Sequence, residues 1–422
     1  MIKFLTVTKK KYATPKIKKI AYYGLLTILS LYVFSVPSFA NRPGYNLICY
    51  ALMGILVAFT LTYLLLFGLN RKFDRRTLLI IAFMLSSFVG TTLYSHQFRG
   101  VLTLFLLIVS FFIIYIAMII IDNNSLVCRF VTIAFFAFAF YFLIHYAPDI
   151  LNYKSYSYDE FRLGWDFENP NTVGSFMALG LSLAAYIVLF EKGKIRLLFL
   201  VPIASFLLVG FTTGSRTFLI SIFVIVVCFT LFKFKKHIFF ALVGIIIIIT
   251  IGIVLINTVP FLATIKYRLE DTLNIFTDGG AGGSTLERIL WQRYGFYLAS
   301  RRILFGFGES GFAYASGVMT YTHGNFTEML CDFGLIGFIL FYCFNLAPAF
   351  ISLFSKKQNK EFVIAISFVM LIDGFLSVYY YDKCTYVIMA MCYYFLDNAK
   401  PAFKTLKRKE KLVLDEECEV TI

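Results

Sequence analysis

Residues 101–121 read VLTLFLLIVSFFIIYIAMIII, 21 positions without a charged side chain. As an α-helix rising 1.5 Å per residue this run is about 30 Å long, the thickness of a bilayer's hydrocarbon core. Its apolar residues are continuous and do not alternate, so a helix is expected and not a membrane strand. Hydrocarbon offers the backbone no water, so the segment must pair its N–H and C=O groups within itself. Outward from this run, eleven further stretches follow the same pattern. They lie at residues 20–40, 47–69, 77–95, 127–147, 171–190, 197–213, 217–232, 238–256, 326–354, 361–380 and 384–397, the last being short. The expected fold is an all-α polytopic membrane protein with about twelve transmembrane helices.

Composition agrees. The 422-residue chain is 59% hydrophobic and 15% charged, whereas a soluble protein carries about a quarter charged residues. The net charge of +15 would suggest nucleic acid on a soluble domain. Here the basic residues sit mainly in short segments between apolar runs, which is the positive-inside pattern, and no nucleic-acid partner is expected. Placing Lys9, Lys10, Lys11, Lys16, Lys18 and Lys19 in the cytoplasm makes the basic segments 71–76, 129, 192–196, 233–236, 356–360 and 400–411 cytoplasmic too. Both termini are then inside. The first run imitates a signal peptide, but no clear small-residue cleavage site follows it and more spans do, so a retained helix is expected. Eight cysteines form no C-x-x-C pair and suggest neither a disulfide framework nor a zinc site.

The chain divides into nine helices over 1–256 with a shorter outer loop at 148–170, a large extracytoplasmic loop at 257–325, three helices over 326–397, and a basic cytoplasmic tail at 398–422. The large loop exceeds what a connection needs, and long loops concentrate function. Within it, 285–304 reads as an amphipathic helix. Leu286, Ile289, Leu290, Tyr294 and Tyr297 share one face, and Arg288, Gln292, Gly295 and Arg302 the other. Asp278-Gly-Gly-Ala-Gly-Gly283 before it is a hinge.

Several outer-loop residues carry possible chemistry. Arg216 lies in the turn Thr212-Thr-Gly-Ser-Arg-Thr217, where Ser215 can cap the next helix. An arginine beside a helix N-terminus suits an anion, although one snorkelling to the interface looks the same. Arg288 is either an anion contact or a solvated arginine. His323, in Tyr321-Thr-His-Gly-Asn-Phe-Thr-Glu328, is either a general base or incidental. Asn325 and Glu328 have capping-pair spacing. Arg162, Asp166 and Glu168 precede Asn169-Pro-Asn171, where Asn169 is a natural cap and Pro170 a natural first helical residue. Asp166 and Glu168 are either bases or solvated. No Walker motif or H-E-x-x-H is present. Ionisable residues inside the spans lie near their ends apart from Asp373, which counts against an ion-coupled transporter.

Four stretches resemble the O-antigen ligase and Wzy-type O-antigen or capsular polysaccharide polymerase family. They are Asn169-Pro-Asn171; Thr213-Gly-Ser-Arg-Thr217; Glu287-Arg-Ile-Leu-Trp-Gln-Arg293 with Leu304-Phe-Gly-Phe-Gly-Glu-Ser-Gly-Phe312; and His323-Gly-Asn325 with Glu328-Met-Leu330 and Phe333-Gly-Leu-Ile-Gly337. Order and spacing agree over about 165–345. One departure is Gly324, which separates the histidine from the asparagine where the family usually has them adjacent. The resemblance implies a GT-C-like fold and a glycosyltransferase without metal or other cofactor in the bacterial cytoplasmic membrane. It implies that Arg216 and Arg288 hold the diphosphate of an undecaprenyl-linked oligosaccharide and that His323 stands at the reaction centre. Arg162, Asn169, Asn171, Arg302, Asn325 and Glu328 are expected around the substrate, with Asp166 or Glu168 behind the histidine. A polymerase is expected, working beside a flippase and a chain-length regulator; a ligase shares its donor and site. A flippase of the same lipid-linked unit is the expectation from another class.

Overall fold

Every one of the twelve apolar stretches coils into a helix. The computed structural model describes residues 15–40, 42, 44–68, 74–155, 161–277, 283–318, 320–354 and 359–397. The lysines up to 11, the side chains of Lys16 and Lys18, segments 71–73 and 355–358, hinge positions 278–282, and the tail 398–422 with Cys418 lie outside the described residues.

The first spans are α1 (Pro15–Phe39), α2 (Asn46–Phe67), α3 (Leu78–Gly90, prolonged by a π turn over Thr91–Ser95), α4 (Phe98–Ile121) and α5 (Asn124–His145). A short α6 (Ala147–Leu151) follows, then α7 (Pro170–Phe190), α8 (Leu200–Thr212), α9 (Arg216–Lys233) and α10 (Ile238–Thr258). The large loop is itself helical, with α11 (Ala263–Thr277), α12 (Gly283–Arg301) and α13 (Gly311–Ser316). The chain returns through α14 (Asn325–Leu353), α15 (Lys360–Leu376) and α16 (Lys383–Asp397).

Among the described residues ten helices are long and apolar enough to cross a membrane. The other two, α15 and α16, have 17 and 15 residues. At 15 residues a helix is about 22 Å long, short of a full hydrocarbon core. Packing accounts for this in α16, because its side chains from Cys384 to Leu396 are buried inside the bundle. Tyr393 stacks on Phe344 at 5.0 Å, and Phe344 meets Phe111 edge-on at 5.1 Å. By contrast α10 buries only Ala241 and Ile245 and turns Ile246, Ile247 and Phe240 outward, as a lipid-facing helix does. Asp373 falls in the last turn of α15, because that helix stops at Leu376; it accepts a hydrogen bond from the Ser221 hydroxyl at 3.0 Å.

Helix α14 carries the feature that anchors the loop. At Gly334 the backbone turns left-handed (φ 62°, ψ −168°) and the helix kinks. The strand of chain after α12 crosses there, and a Cβ at Gly334 would stand 2.5 Å from the Leu304 carbonyl, so only glycine fits. Four backbone hydrogen bonds join the two segments: Leu335 N to Ile303 O, Ile336 N to Leu304 O, Phe307 N to Cys331 O and Gly308 N to Asp332 O. The large loop is therefore docked on the bundle.

The helix expected over 285–304 exists, but its faces are the reverse of a solvent-exposed helix. Arg288, Gln292 and Gly295 point toward the protein, while Leu286, Leu290 and Tyr297 are about half exposed. Gly295 is pressed so close that a Cβ would meet the Thr327 and Thr322 methyls at 2.6 and 2.7 Å. The inversion follows from the surroundings of a membrane protein, whose apolar side chains can face lipid while polar ones line an internal site.

Candidate active site

One end of the bundle gathers the C-terminus of α8, the N-termini of α7, α9 and α14, loop residues 161–169, helices α11 and α12, and residues 377–382. The turn between α8 and α9 is its anchor. Gly214 has φ +57°, and Ser215 Oγ accepts from Phe218 N at 3.3 Å, capping α9. This sends Arg216, the first residue of α9, toward the large loop. Its guanidinium donates to the Thr272 hydroxyl (2.5 Å) on α11 and the Thr285 hydroxyl (3.2 Å) on α12, and lies 3.7 Å from the Asp271 carboxylate. Thr285 in turn donates to Asp271 at 3.1 Å.

Three more arginines converge here. Arg162 donates to the Thr213 carbonyl (3.3 Å) and to Asn171 Oδ1 (2.8 Å), and its guanidinium lies 5.4 Å from the Trp165 ring centre. Arg288 comes from α12 and Arg268 from α11. A Cβ on Gly214 would lie 3.7 Å from Arg268 Cδ and 3.8 Å from Arg162 Cγ, so both side chains flank the turn. Burial, reinforced by repulsion from Arg268, Arg288 and Arg216, pulls Arg162 down to about 9. Burial, with repulsion from Arg216 and Arg288, pulls Arg268 down to about 10. Arg288 is lowered by burial and by Arg216. At about 9 and 10, Arg162 and Arg268 remain cationic at neutral pH. Four guanidiniums against the contacting Asp271 and the exposed Glu287 leave an excess of positive charge in a poorly solvated place, which is the electrostatic requirement of an anion site.

A cavity of about 320 Å³ adjoins this cluster and shares Arg288 with it. His323, Glu168, Asn171, Asp382 and Lys383 also line it, with Tyr321 and Tyr381 as aromatic walls. His323 is held at φ +63°, a left-handed conformation that costs a non-glycine residue about 1 kcal/mol or more. Its ring lies 4.5 Å from that of Tyr321. Burial, then repulsion from Arg288, pushes the imidazole down to about 4, so it is neutral at pH 7. Asp382 moves the other way. Burial raises it to about 7, against a hydrogen bond from Cys384 N at 3.1 Å.

The remaining sequence candidates separate. Asn169 caps α7, accepting from Asn171 N at 3.0 Å with Pro170 first in the helix, and it also lines the cavity. The capping pair expected of Asn325 and Glu328 does not form, because extended Gly324 occupies the cap position and Asn325 is already helical. Asn325 is buried instead. It donates to Tyr342 Oη and accepts from Tyr379 N and Tyr380 N at 3.0 Å each, which pins the loop carrying Asp382. Glu328 accepts from Thr322 N at 2.6 Å, fixing the turn before His323. Arg302 lies past the far end of α12, 4.0 Å over the Tyr94 ring and apart from the other arginines. Asp166 is bonded to His145 Nε2 at 2.9 Å and does not line the cavity. Arg268 and Asp382 were missed from sequence, since neither belongs to a motif.

Residues 201–342 match a family model described as O-antigen ligase. That interval takes in the α8–α9 turn, the large loop and the start of α14. No curated protein matches the chain.

Proposed function

Because this chain belongs to the O-antigen ligase / Wzy-type family, we propose that it transfers a glycan from a polyprenyl diphosphate, as undecaprenyl diphosphate, to a sugar hydroxyl at the outer face of the bacterial cytoplasmic membrane. The acceptor in this reading is the next lipid-linked repeat unit, which makes the protein a polysaccharide polymerase. The observation that carries it is the arginine cluster opening directly onto a cavity that holds a neutral imidazole.

The diphosphate lies on Arg216 and Arg288, with the first sugar in the cavity. An acceptor hydroxyl attacks the anomeric carbon, and a new C–O bond forms as the bond to the diphosphate oxygen breaks. The electron pair leaves with the diphosphate, where guanidiniums and the α9 N-terminus stabilise it. The hydroxyl proton passes to His323, which is unprotonated and available. Negative charge bound at Arg288 also offsets the repulsion that weakens His323, so the base strengthens when the donor is in place. Arginine supplies the charge neutralisation, so the reading assigns no metal or cofactor. The inward-lying basic segments of the sequence favour both termini in the cytoplasm.

Glycan analysis of a deletion strain complemented at matched protein levels tests this. Wild type is expected to restore a polymer ladder, and Arg216→Ala, Arg288→Ala and His323→Ala to leave single repeats. Full-length polymer accumulating on the lipid carrier in the deletion strain identifies a ligase instead. Normal ladders from all three variants remove the site and return a transport role.

A further inference from the structure

We propose that Arg268, which belongs to none of the sequence motifs, is a third arginine that contacts the diphosphate in this site and takes up the charge released on the leaving group. The inference rests on the glycosyl-transfer reading above and concerns how that site discriminates its anion.

Position is the first argument. Arg268 lies one turn before Thr272 on α11, and its carbonyl accepts the Thr272 hydroxyl at 2.9 Å. That same hydroxyl receives Arg216, so the α9 arginine is braced against the helix that carries Arg268. The Arg268 side chain passes close to Gly214, as that of Arg162 does. The neighbours that perturb it most, after burial, are Arg216 and Arg288.

Unspent donors are the second argument. Arg216 and Arg162 give hydrogen bonds to protein acceptors, whereas the Nε of Arg268 is buried and has no partner among the described residues. Glu270, two residues on and exposed, pairs with Lys266 at 3.9 Å, and Asp271, whose charge attracts Arg268, lies 3.7 Å from Arg216. A desolvated guanidinium donor left unsatisfied is costly, and an anionic ligand removes the cost. The third argument is the charge change. A glycosyl diphosphate diester carries about −2, and the free lipid diphosphate approaches −3 near neutral pH because a terminal phosphate titrates near 6. A third guanidinium therefore binds the departing diphosphate more strongly than the donor, and so acts on the transition state.

The test uses the full chain in lipid nanodiscs, with farnesyl diphosphate and farnesyl monophosphate as probes. Wild type, Arg268→Gln and the control Lys266→Gln are titrated with both. Arg268→Gln is expected to lose on the order of ten- to a hundredfold in diphosphate affinity, with a smaller loss for the monophosphate, while Lys266→Gln matches wild type. In turnover assays kcat is expected to fall more than KM rises. Equal diphosphate affinity in wild type and Arg268→Gln overturns the proposal and leaves the transfer reading standing. Equal losses for both probes overturn it too, since they mark a diffuse field and no contact. Wild type that binds neither probe overturns the transfer reading itself. If Arg268→Gln does not fold, wild type decides. Farnesyl diphosphate, and not the monophosphate, is expected to protect Arg268 from an arginine-modifying dicarbonyl read by peptide mass; unchanged labelling overturns the proposal.

Discussion

If His323 is the base, the acid limb of the pH–rate profile is displaced far below that of an ordinary histidine. Burial and Arg288 place its pKa in the free protein at about 4. At pH 5.5 an unperturbed imidazole is about 90% protonated, and one with a pKa of about 4 is about 3% protonated. A base works only when unprotonated, so activity is lost as pH falls through the pKa. The kcat/KM profile reports the free enzyme and is expected to hold its plateau to about pH 5, breaking near 4. The kcat profile reports the donor complex, in which diphosphate offsets Arg288, and its break is expected higher. Arg288→Gln removes the repulsion and leaves the burial, so the kcat/KM break moves up without reaching 6.5. His323→Gln is expected to lower kcat by about 10²–10⁴ and to abolish the limb. The assay is transfer from a synthetic polyprenyl-diphosphate disaccharide, followed from pH 4 to 8 with folding checked at each end. A break near 7 that survives His323→Gln refutes the reasoning and points to Asp382, whose carboxyl sits at about 7 in the same cavity.

Three further outcomes follow from packing. Gly295→Val drives methyl groups into Thr327 and Thr322, which stand 2.6 and 2.7 Å from the first added carbon, and tilts α12 away with Arg288; transfer is expected to fall about a hundredfold, as a displacement near 1 Å costs, in protein that still elutes as folded. Asn325→Ala orphans the buried N–H groups of Tyr379 and Tyr380, each costing about 1–3 kcal/mol, so the detergent unfolding midpoint drops and activity falls with it; an unchanged midpoint contradicts the pinning role. Arg302→Gln loses only the contact with Tyr94, worth about 0.5–1 kcal/mol, and transfer should be unaltered; a loss beyond tenfold would place Arg302 in the site after all.

Much of this molecule is written locally. The apolar runs, the caps at Asn169 and Ser215, and the helical content of 285–304 depend on residues within a few turns of each other, and each is legible without the fold. Arg216, Arg288 and His323 were also legible, because each sits in a short stretch with a recognisable resemblance. The capping pair was misread, because the helix begins one residue earlier than expected, with extended Gly324 at the cap position and Asn325 free to reach across to residues 379 and 380.

What sequence determined by itself is the class of protein: side chains this apolar, in runs this long, have no stable place except helices across a bilayer. What only tertiary structure decided is the company each polar residue keeps. Arg162, Arg216, Arg268 and Arg288 come from four separate segments, and Asp382 joins the cavity from a fifth. Nothing in their local sequence marks Arg268 or Asp382, and α12 gives no sign of which face turns inward. Those choices rest on long-range contacts, the kink at Gly334, the docking of residues 303–308 on α14 and the close approach at Gly295, and a contact between distant segments exists only once the helices have packed.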